Sequence, residues 1–148
     1  MRTPGAWAAL VEAPAELAPL AVEETLRFDP PVQRTIRVAL SDVTVGGTTL
    51  PRGTWLVPMI AGANRDPGVF ERPGEFVLDR YADEGTPEHL AFSAGVHYCL
   101  GATLARLEAT VALRVLAERL PRLAVVGEPR MRRSVSVRGP ASLRAVPA

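Results

Sequence analysis

Two segments of the chain repeat apolar residues at the spacing that is typical of an amphipathic helix. In the first, residues 15–28, the repeated positions are Leu17, Leu20, Ala21 and Phe28. The next three residues, Asp-Pro-Pro, end this helix, because a residue that precedes proline avoids the helical conformation. The pattern therefore predicts a helix over residues 15–28 with one face toward a core.

The second segment, residues 100–120, has the clearest helical pattern in the chain. Its charged residues lie largely off the apolar stripe, as expected of a helix that packs one face against a core. A helix of this length extends about 30 Å, and Pro121 ends it. The apolar stripe consists of Leu104, Leu107, Val111, Val115 and Leu116.

Short segments of β-branched and apolar residues between turn-forming residues predict β-strands. Three of them follow the first helix, at residues 35–39, 43–45 and 54–59. Two more, residues 134–137 and 142–146, are separated by Arg-Gly-Pro and predict a terminal hairpin. The expected fold class is therefore mainly α with small β-sheets, an α+β arrangement.

Residues 61–90 contain prolines, glycines and charges with only brief apolar runs, at residues 69–70 and 76–78. Irregular segments of this length are uncommon inside compact domains and usually have a function. We therefore expect residues 61–90 to wrap around something that needs to be held in place.

Glu24 lies in the apolar stripe of the first helix, seven residues after Leu17, and Arg27 follows within side-chain reach. Burying a carboxylate costs several kcal/mol unless it is paired and hydrogen-bonded. A buried Glu24 therefore calls for a second arginine from elsewhere in the chain. The pattern is also compatible with an ordinary ion pair on the helix surface.

Composition excludes several classes of protein. The 148 residues are 47% hydrophobic, which suits one globular domain or a piece of a larger one. Seventeen basic residues, all arginine, and sixteen acidic residues leave a net charge of +1, so we expect no nucleic-acid partner. Acidic residues and prolines interrupt the apolar stretch after Arg2, and nothing approaches the ~18 apolar residues that span a bilayer. We expect no signal peptide and no membrane anchor.

The only cysteine, Cys99, cannot form an internal disulfide, which favours a reducing, cytoplasmic location. It immediately precedes the second helix, where free backbone N–H groups and the helix dipole stabilise an anion such as a thiolate. Gly95 and Gly101 flank it and permit close approach of a flat ligand to the backbone. Cys99 is therefore a candidate metal ligand or nucleophile.

Three other interpretations of Cys99 remain open at this point. A lone cysteine is most often a small buried hydrophobic residue. Zinc is a poorer fit, because His89, His97 and Cys99 supply only three ligands without a finger-like spacing. In a cysteine-nucleophile enzyme, His97 could act as the base, but an orienting partner for it is not evident.

Several motifs together resemble the cytochrome P450 family of bacteria. The most specific is the cysteine motif Phe92-x-x-Gly95-x-His97-x-Cys99-x-Gly101, which is followed by Leu-Ala-Arg at 104–106. Upstream, residues 24–27 resemble the Glu-x-x-Arg motif of the family, and residues 63–67 and 76–80 resemble its meander. The resemblance covers nearly the whole chain. It implies one partial domain, residues 1–148, from the C-terminal part of the cytochrome P450 fold.

The resemblance implies a role for each matching residue. Cys99 would be the catalytic thiolate that ligates the iron of haem b, pushing electron density onto the metal and favouring O–O cleavage. His97 and Arg37 would bind the haem propionates. Phe92 would pack near the sulfur, and Arg80 would complete the ion cluster with the Glu-x-x-Arg motif. Six further residues correspond to substrate-lining regions or to ordinary strand positions: Val32, Gln33, Arg34, Thr35, Ser136 and Val137.

One residue of the cysteine motif departs from the usual bacterial pattern. Ser93 stands where glycine is common in the family. The spacing of the other motif residues is kept, so the expectation that Cys99 ligates haem stands.

The resemblance also implies a reaction. We expect a monooxygenase that inserts one atom of O2 into a small organic substrate, with electrons from NAD(P)H delivered by a reductase and a ferredoxin-type protein. The distal oxygen-activating helix of the family would lie upstream of Glu24, outside this sequence. We therefore expect a chain that is inactive alone and that exposes unusually large apolar patches. The alternative is a non-catalytic haem-binding or protein-interaction module of the same fold.

Overall fold

The computed structural model of the chain describes residues 5–147. Residues 1–4 and 148 of the predicted domain, including Arg2 before the apolar stretch, lie outside the described residues. The α-helices are α1 (Ala6–Glu12), α2 (Pro14–Phe28), α3 (Ile60–Ala63) and α4 (Ala102–Arg119). Single turns of 3₁₀ helix lie at Arg80–Ala82 and Gly95–His97.

Helix α2 matches the first predicted helix within one residue. Pro14 occupies the first turn, where its missing N–H costs nothing, and the helix ends at Phe28, before Asp29 and Pro30. The preceding helix, α1, was not predicted, because seven residues give too short a stretch for a helical period to stand out.

Helix α4 matches the second predicted helix but starts at Ala102, so Leu100 and Gly101 belong to the preceding turn. The apolar stripe of this helix is largely exposed among the described residues. Ala102 and Ala117 are the buried residues of α4, whereas Leu104 and Leu107 are 58% and 59% exposed. The stripe is therefore only partly covered among residues 5–147, and α4 packs through Ala102, Leu113 and Ala117 instead.

The strands among residues 5–147 are β1 (Arg37–Val38), β2 (Val43–Val45), β3 (Thr48–Leu50), β4 (Trp55–Leu56), β5 (Leu123–Val125), β6 (Arg130–Met131), β7 (Pro140–Ser142) and β8 (Ala145–Pro147). They form four antiparallel pairs, which are β1–β4, β2–β3, β5–β8 and β6–β7. The predicted strands 35–39 and 54–59 shorten to β1 and β4, and 43–45 is exact in β2.

The predicted terminal hairpin between residues 134–137 and 142–146 is wrong. Strand β8 pairs with β5, in the register Val125 to Ala145, and β7 pairs with β6. Val137 instead forms an isolated antiparallel bridge with Val32. Strand propensity identifies segments that can extend, but the partner of each segment depends on residues far away in the chain.

The core lies where α1, α2 and α4 meet. Leu10, Ala18 and Ala117 are almost completely buried there, and the half-buried Leu113 packs against them. The indole N–H of Trp7 donates to the Pro121 carbonyl oxygen at 2.9 Å, which ties α1 to the end of α4. This packing fixes α2 and α4 side by side, and the residues discussed below lie on these two helices and the loops next to them.

Residues 61–90 are irregular, as predicted, apart from the end of α3 and the 3₁₀ turn. This segment contacts α2, and the backbone carbonyls of Asn64, Pro73 and Glu75 accept hydrogen bonds from Arg27 of that helix. Among the described residues, no helix is both long and apolar enough to cross a lipid bilayer.

Candidate functional site

Cys99 is a free, exposed cysteine between the 3₁₀ turn Gly95–His97 and the first turn of α4. Its backbone N–H donates to the Phe92 carbonyl oxygen at 2.9 Å, and its carbonyl accepts from the Ala102 N–H at 3.2 Å. These bonds close residues 92–99 into a loop that leads directly into the helix. We call residues 92–99 the cysteine loop. Because the side chain is exposed, Cys99 is not a buried core residue.

An apolar concavity of about 250 Å³ borders Cys99. Residues from α2, the segment after it, α3 and the cysteine loop form its wall. They are Leu26, Pro31, Val32, Ile60, Ala91, Phe92, Ser93 and Cys99. The thiol therefore adjoins a concave apolar surface that an uncharged planar group could cover.

Two residues of the cysteine loop adopt a left-handed backbone conformation. Gly95 has a φ of 63° and Ser93 a φ of 65°. L-residues with a β-carbon are strained in this region, which explains why glycine suits both positions. Gly101 has a different role, since its φ is −86° and a β-carbon there would lie 3.9 Å from the Cys99 Sγ, at ordinary contact distance.

Of the two predicted propionate-binding residues, His97 is exposed and Arg37 is half-buried. His97 is exposed at the end of the 3₁₀ turn, two residues before the cysteine. Arg37 lies on β1, and its guanidinium donates to the adjacent Ile36 carbonyl oxygen at 2.9 Å. The Arg37 guanidinium has other N–H groups besides the one that donates to Ile36, and two N–H groups are enough to bind a carboxylate.

Phe92 is half-buried at the start of the cysteine loop, and its ring packs against two polar side chains. The guanidinium carbon of Arg106 lies 4.6 Å from the ring centroid, and the His89 ring lies at 6.0 Å. A cation over an aromatic face is attractive, so Arg106 helps to fix the orientation of Phe92.

The structure brings Glu24, Arg27 and Arg80 together. Glu24 and Arg27 are fully buried and form a bidentate pair, with N–O distances of 2.7 and 2.8 Å. Arg80 contributes the second arginine at 3.0 Å, and the Val77 N–H donates to Glu24 at 2.8 Å. The Glu24 carboxylate is thus fully hydrogen-bonded, and this cluster is not a surface ion pair.

The predicted substrate-lining residues also meet in space. Val32 bridges Val137, and the Gln33 N–H donates to the Ser136 carbonyl oxygen at 2.8 Å. Of these residues, Val32 lines the concavity beside Cys99. Arg34 and Thr35 follow in the same extended segment, and both are half-buried.

A second ion cluster, which the sequence analysis does not predict, lies beside the cysteine loop. Glu23 accepts two hydrogen bonds from Arg106 of α4, at 2.7 and 3.0 Å, and one from His89 at 3.1 Å. Arg106 also donates to the Tyr98 hydroxyl at 2.9 Å. The sequence offers only a weak signal for this cluster. Arg106 is part of the Leu-Ala-Arg motif, but Glu23 lies off the apolar stripe and reads as a solvated residue.

Burial and pairing act in opposite directions on the Glu23 carboxyl. Desolvation by burial raises its pKa, but the hydrogen bonds from His89 and Arg106 and the charge of Arg106 together lower the pKa of Glu23 to about 2. The same pair, with the Tyr98 bond, raises the pKa of Arg106 above its ordinary value. Glu23 is therefore a carboxylate and Arg106 a cation at neutral pH.

Comparisons with known proteins identify the class of this molecule. The family model for cytochrome P450 matches residues 16–120. Cytochrome P450 144 of Mycobacterium tuberculosis is 46% identical over 109 residues, which cover 74% of this chain. The plant-inducible cytochrome P450-pinF1 of Rhizobium radiobacter is 43% identical over 132 residues, which cover 88% of it. The chain belongs to the cytochrome P450 family.

Solved structures agree with this assignment. Ligand-free CYP164A2 of Mycobacterium smegmatis superposes with a TM-score of 0.90 at 44% identity over 99% of this chain. CYP109E1 of Bacillus megaterium, in complex with testosterone, superposes with a TM-score of 0.91 at 35% identity. These matches confirm the predicted family and fold class. The chain spans 24% and 30% of the lengths of the two relatives, and 36% and 40% of the two solved chains.

Proposed function

We propose that this chain is the haem-thiolate portion of a cytochrome P450 monooxygenase, in which Cys99 would ligate the haem iron. One observation carries the proposal. The only cysteine of the chain is exposed, closes a hydrogen-bonded loop at the start of an 18-residue helix, and borders an apolar concavity.

The residues at this site fit the haem that the family implies. A thiolate is a suitable ligand for iron, and the apolar wall suits the faces of a porphyrin. The exposed His97 and the half-buried Arg37 are donors suited to the two propionates. Bound haem would supply the activation of O2, which electron donation from a thiolate ligand favours.

The chain itself prepares the sulfur for this role. Cys99 lies at the N-terminal end of α4, which begins at Ala102, and the Ala102 N–H donates to the Cys99 carbonyl oxygen. Gly95 allows the loop to reverse direction, and the Cys99 N–H bond to Phe92 keeps the reversal closed. The half-buried Phe92 lies in the apolar wall next to Cys99.

We further propose that the complete enzyme inserts one atom of O2 into a small organic substrate. Electrons would pass from NAD(P)H through a reductase and a ferredoxin-type donor in the cytoplasm. One solved relative, CYP109E1 of Bacillus megaterium, has been solved in complex with testosterone and with corticosterone, both small and largely apolar molecules. The apolar concavity next to Cys99, with Val32 in its wall, supports a substrate of that chemical class.

We infer that this chain does not turn over substrate by itself. The concavity is open, and the family members that it matches are about three times as long. Oxygen activation requires water to be excluded and protons to be delivered in a controlled order. These tasks would require the segments of the relatives that this chain does not match.

The test is haem reconstitution of the chain followed by reduction and addition of carbon monoxide. A strongly red-shifted Soret band, which is characteristic of thiolate ligation, is expected for the wild-type chain and is lost in Cys99→Ser. The matched control His97→Asn is expected to weaken haem binding while keeping the red-shifted band. Haem binding with an unchanged spectrum in Cys99→Ser would remove Cys99 from the proposed role.

A further inference from the structure

One carboxylate on α2, that of Glu23, is connected to both ends of the cysteine loop. Through Arg106 it reaches Tyr98, the neighbour of Cys99 at the end of the loop. Through His89 it reaches Ala91, the residue before the loop begins. Cys99, the proposed haem ligand, thus directly follows Tyr98 in a loop whose two ends are both tied to the Glu23 carboxylate.

The Arg106 branch is rigid. The guanidinium uses two of its nitrogens on Glu23, in a bidentate arrangement with distances of 2.7 and 3.0 Å, and a third on the Tyr98 hydroxyl at 2.9 Å. The same planar group covers the ring of Phe92 at 4.6 Å. Lysine could not make these contacts at once, because its ammonium is a single point charge.

The His89 branch has a defined tautomer. The Ala91 N–H donates to Nδ1 of His89 at 3.2 Å, so Nδ1 is unprotonated and Nε2 carries the proton that is donated to Glu23. The side chain of His89 is only 1% exposed, so water does not replace either partner. The imidazole of His89 therefore links the Glu23 carboxylate, through two hydrogen bonds, to the backbone at Ala91, just before the loop begins.

We propose that Glu23 is a positioning residue for the iron ligand, acting through Arg106 and His89 to hold Cys99 in the orientation that the haem requires. This inference rests on the proposed function of Cys99 and goes beyond it, since Glu23 itself does not touch the loop. The Glu24 cluster differs in this respect, because its hydrogen bonds go to residues 64–80 and not to the cysteine loop.

The first test measures amide hydrogen exchange in the haem-free chain. Glu23→Gln removes the charge and places an N–H2 group against the Arg106 and His89 donors. Exchange of the Ala91 and Cys99 amides is expected to become about tenfold faster, because charge-assisted hydrogen bonds are lost at both attachment points. The control is Glu16→Gln, which changes an exposed carboxylate of the same helix and is expected to leave both amides unchanged.

The second test uses the carbon monoxide complex of the haem-loaded chain. In Glu23→Gln, the ratio of the red-shifted thiolate band to the unshifted band is expected to fall about tenfold. If the wild-type chain shows no thiolate band at all, the proposed function of Cys99 fails, while the exchange measurement still tests Glu23. If wild type and Glu23→Gln share one band ratio and one exchange rate at Cys99, the positioning role is overturned.

A milder variant covers the case in which Glu23→Gln does not fold. Tyr98→Phe removes one exposed hydrogen bond and is expected to melt at the wild-type temperature, yet to exchange the Cys99 amide several-fold faster. An unchanged Cys99 amide in Tyr98→Phe, when Glu23→Gln is unfolded, would overturn the proposal. Equal effects of Glu16→Gln and Glu23→Gln would overturn it as well.

Discussion

Ser93 adopts a φ of 65° in the cysteine loop, two residues before Gly95 with nearly the same φ. In this region an L-residue with a β-carbon is strained by roughly 1–2 kcal/mol, whereas glycine is not. The departure from the family pattern at Ser93 is therefore a local cost in stability. It leaves the shape of the loop, including the Cys99 to Phe92 hydrogen bond, intact.

Ser93→Gly is expected to stabilise the chain by about 1 kcal/mol, because it removes this strain at a small entropic cost. Gly95→Ala is expected to destabilise the chain by about 1 kcal/mol, because the φ of Gly95 is positive. No atom lies within 4 Å of the added β-carbon, so the loss comes from backbone strain and not from a steric clash. The control Gly74→Ala has the same open space without a positive φ. The free energy of unfolding in urea is measured for all three variants. A loss of stability in Ser93→Gly would contradict the inference that Ser93 is strained.

The Glu23 carboxyl makes stability depend on pH. Its pKa falls from an ordinary 4.5 to about 2 on folding, so the folded state favours the ionised form. The stabilisation is fully present above pH 4.5 and is lost as the pH falls toward 2. Glu23→Gln is expected to lose on the order of 2 kcal/mol at neutral pH and to flatten this part of the profile. The measurement is the free energy of unfolding of wild type and Glu23→Gln across this pH interval. If the two proteins differ by the same amount at every pH, the expectation is wrong.

At the scale of elements, the Glu24 cluster joins helix α2 to the irregular segment 61–90. Arg27 donates to the backbone carbonyls of Asn64, Pro73 and Glu75, so a buried cation replaces the hydrogen bonds that regular structure would otherwise provide. This explains how a long segment with little secondary structure keeps one conformation. The segment wraps around the ion cluster.

Glu24→Gln is expected to cost about 3–5 kcal/mol, because it leaves Arg27 buried without its counter-charge. The matched control is Glu75→Gln, which breaks only the exposed Arg72–Glu75 pair and is expected to change stability by less than about 0.5 kcal/mol. Thermal melts compare the two variants. Similar decreases in melting temperature in the two variants would mean that burial does not make the Glu24 ion pair more important for stability.

At the scale of the whole molecule, many large apolar side chains are exposed among the described residues. Leu100 and Val96 beside Cys99 are fully exposed, and the stripe on α4 is about half exposed. Monomeric soluble proteins rarely expose contiguous apolar patches of this kind. The relatives are longer than this chain, and additional segments of the family fold are the natural cover for these surfaces.

We therefore expect the isolated chain to self-associate. Gel filtration is expected to show an apparent mass that rises with concentration, because apolar association depends on concentration. The double variant Leu104→Glu/Leu107→Glu is expected to reduce this association without a loss of helix content in circular dichroism, since both side chains are largely exposed. A compact, cooperatively melting wild-type monomer would contradict the prediction.

The two long helices, the strand at 43–45 and the irregular character of residues 61–90 follow from local patterns and are predictable. Pairing of strands is not, as Val137 shows: it bridges Val32, more than a hundred residues away, instead of forming a hairpin. The importance of Glu24 is predictable from the sequence, because a charged residue in an apolar stripe is buried only if it is paired. Glu23 shows no such conflict, and its partners His89 and Arg106 come from distant segments.

The sequence by itself determined the family, the fold class and the single thiol on which the proposed function depends, because these are encoded in local spacing around Cys99 and Glu24. The tertiary structure alone decided which face of α4 is buried and which charges surround the cysteine loop. The physical reason is that burial and ion pairing depend on the elements that pack together, here α2 against α4, and not on neighbours along the chain.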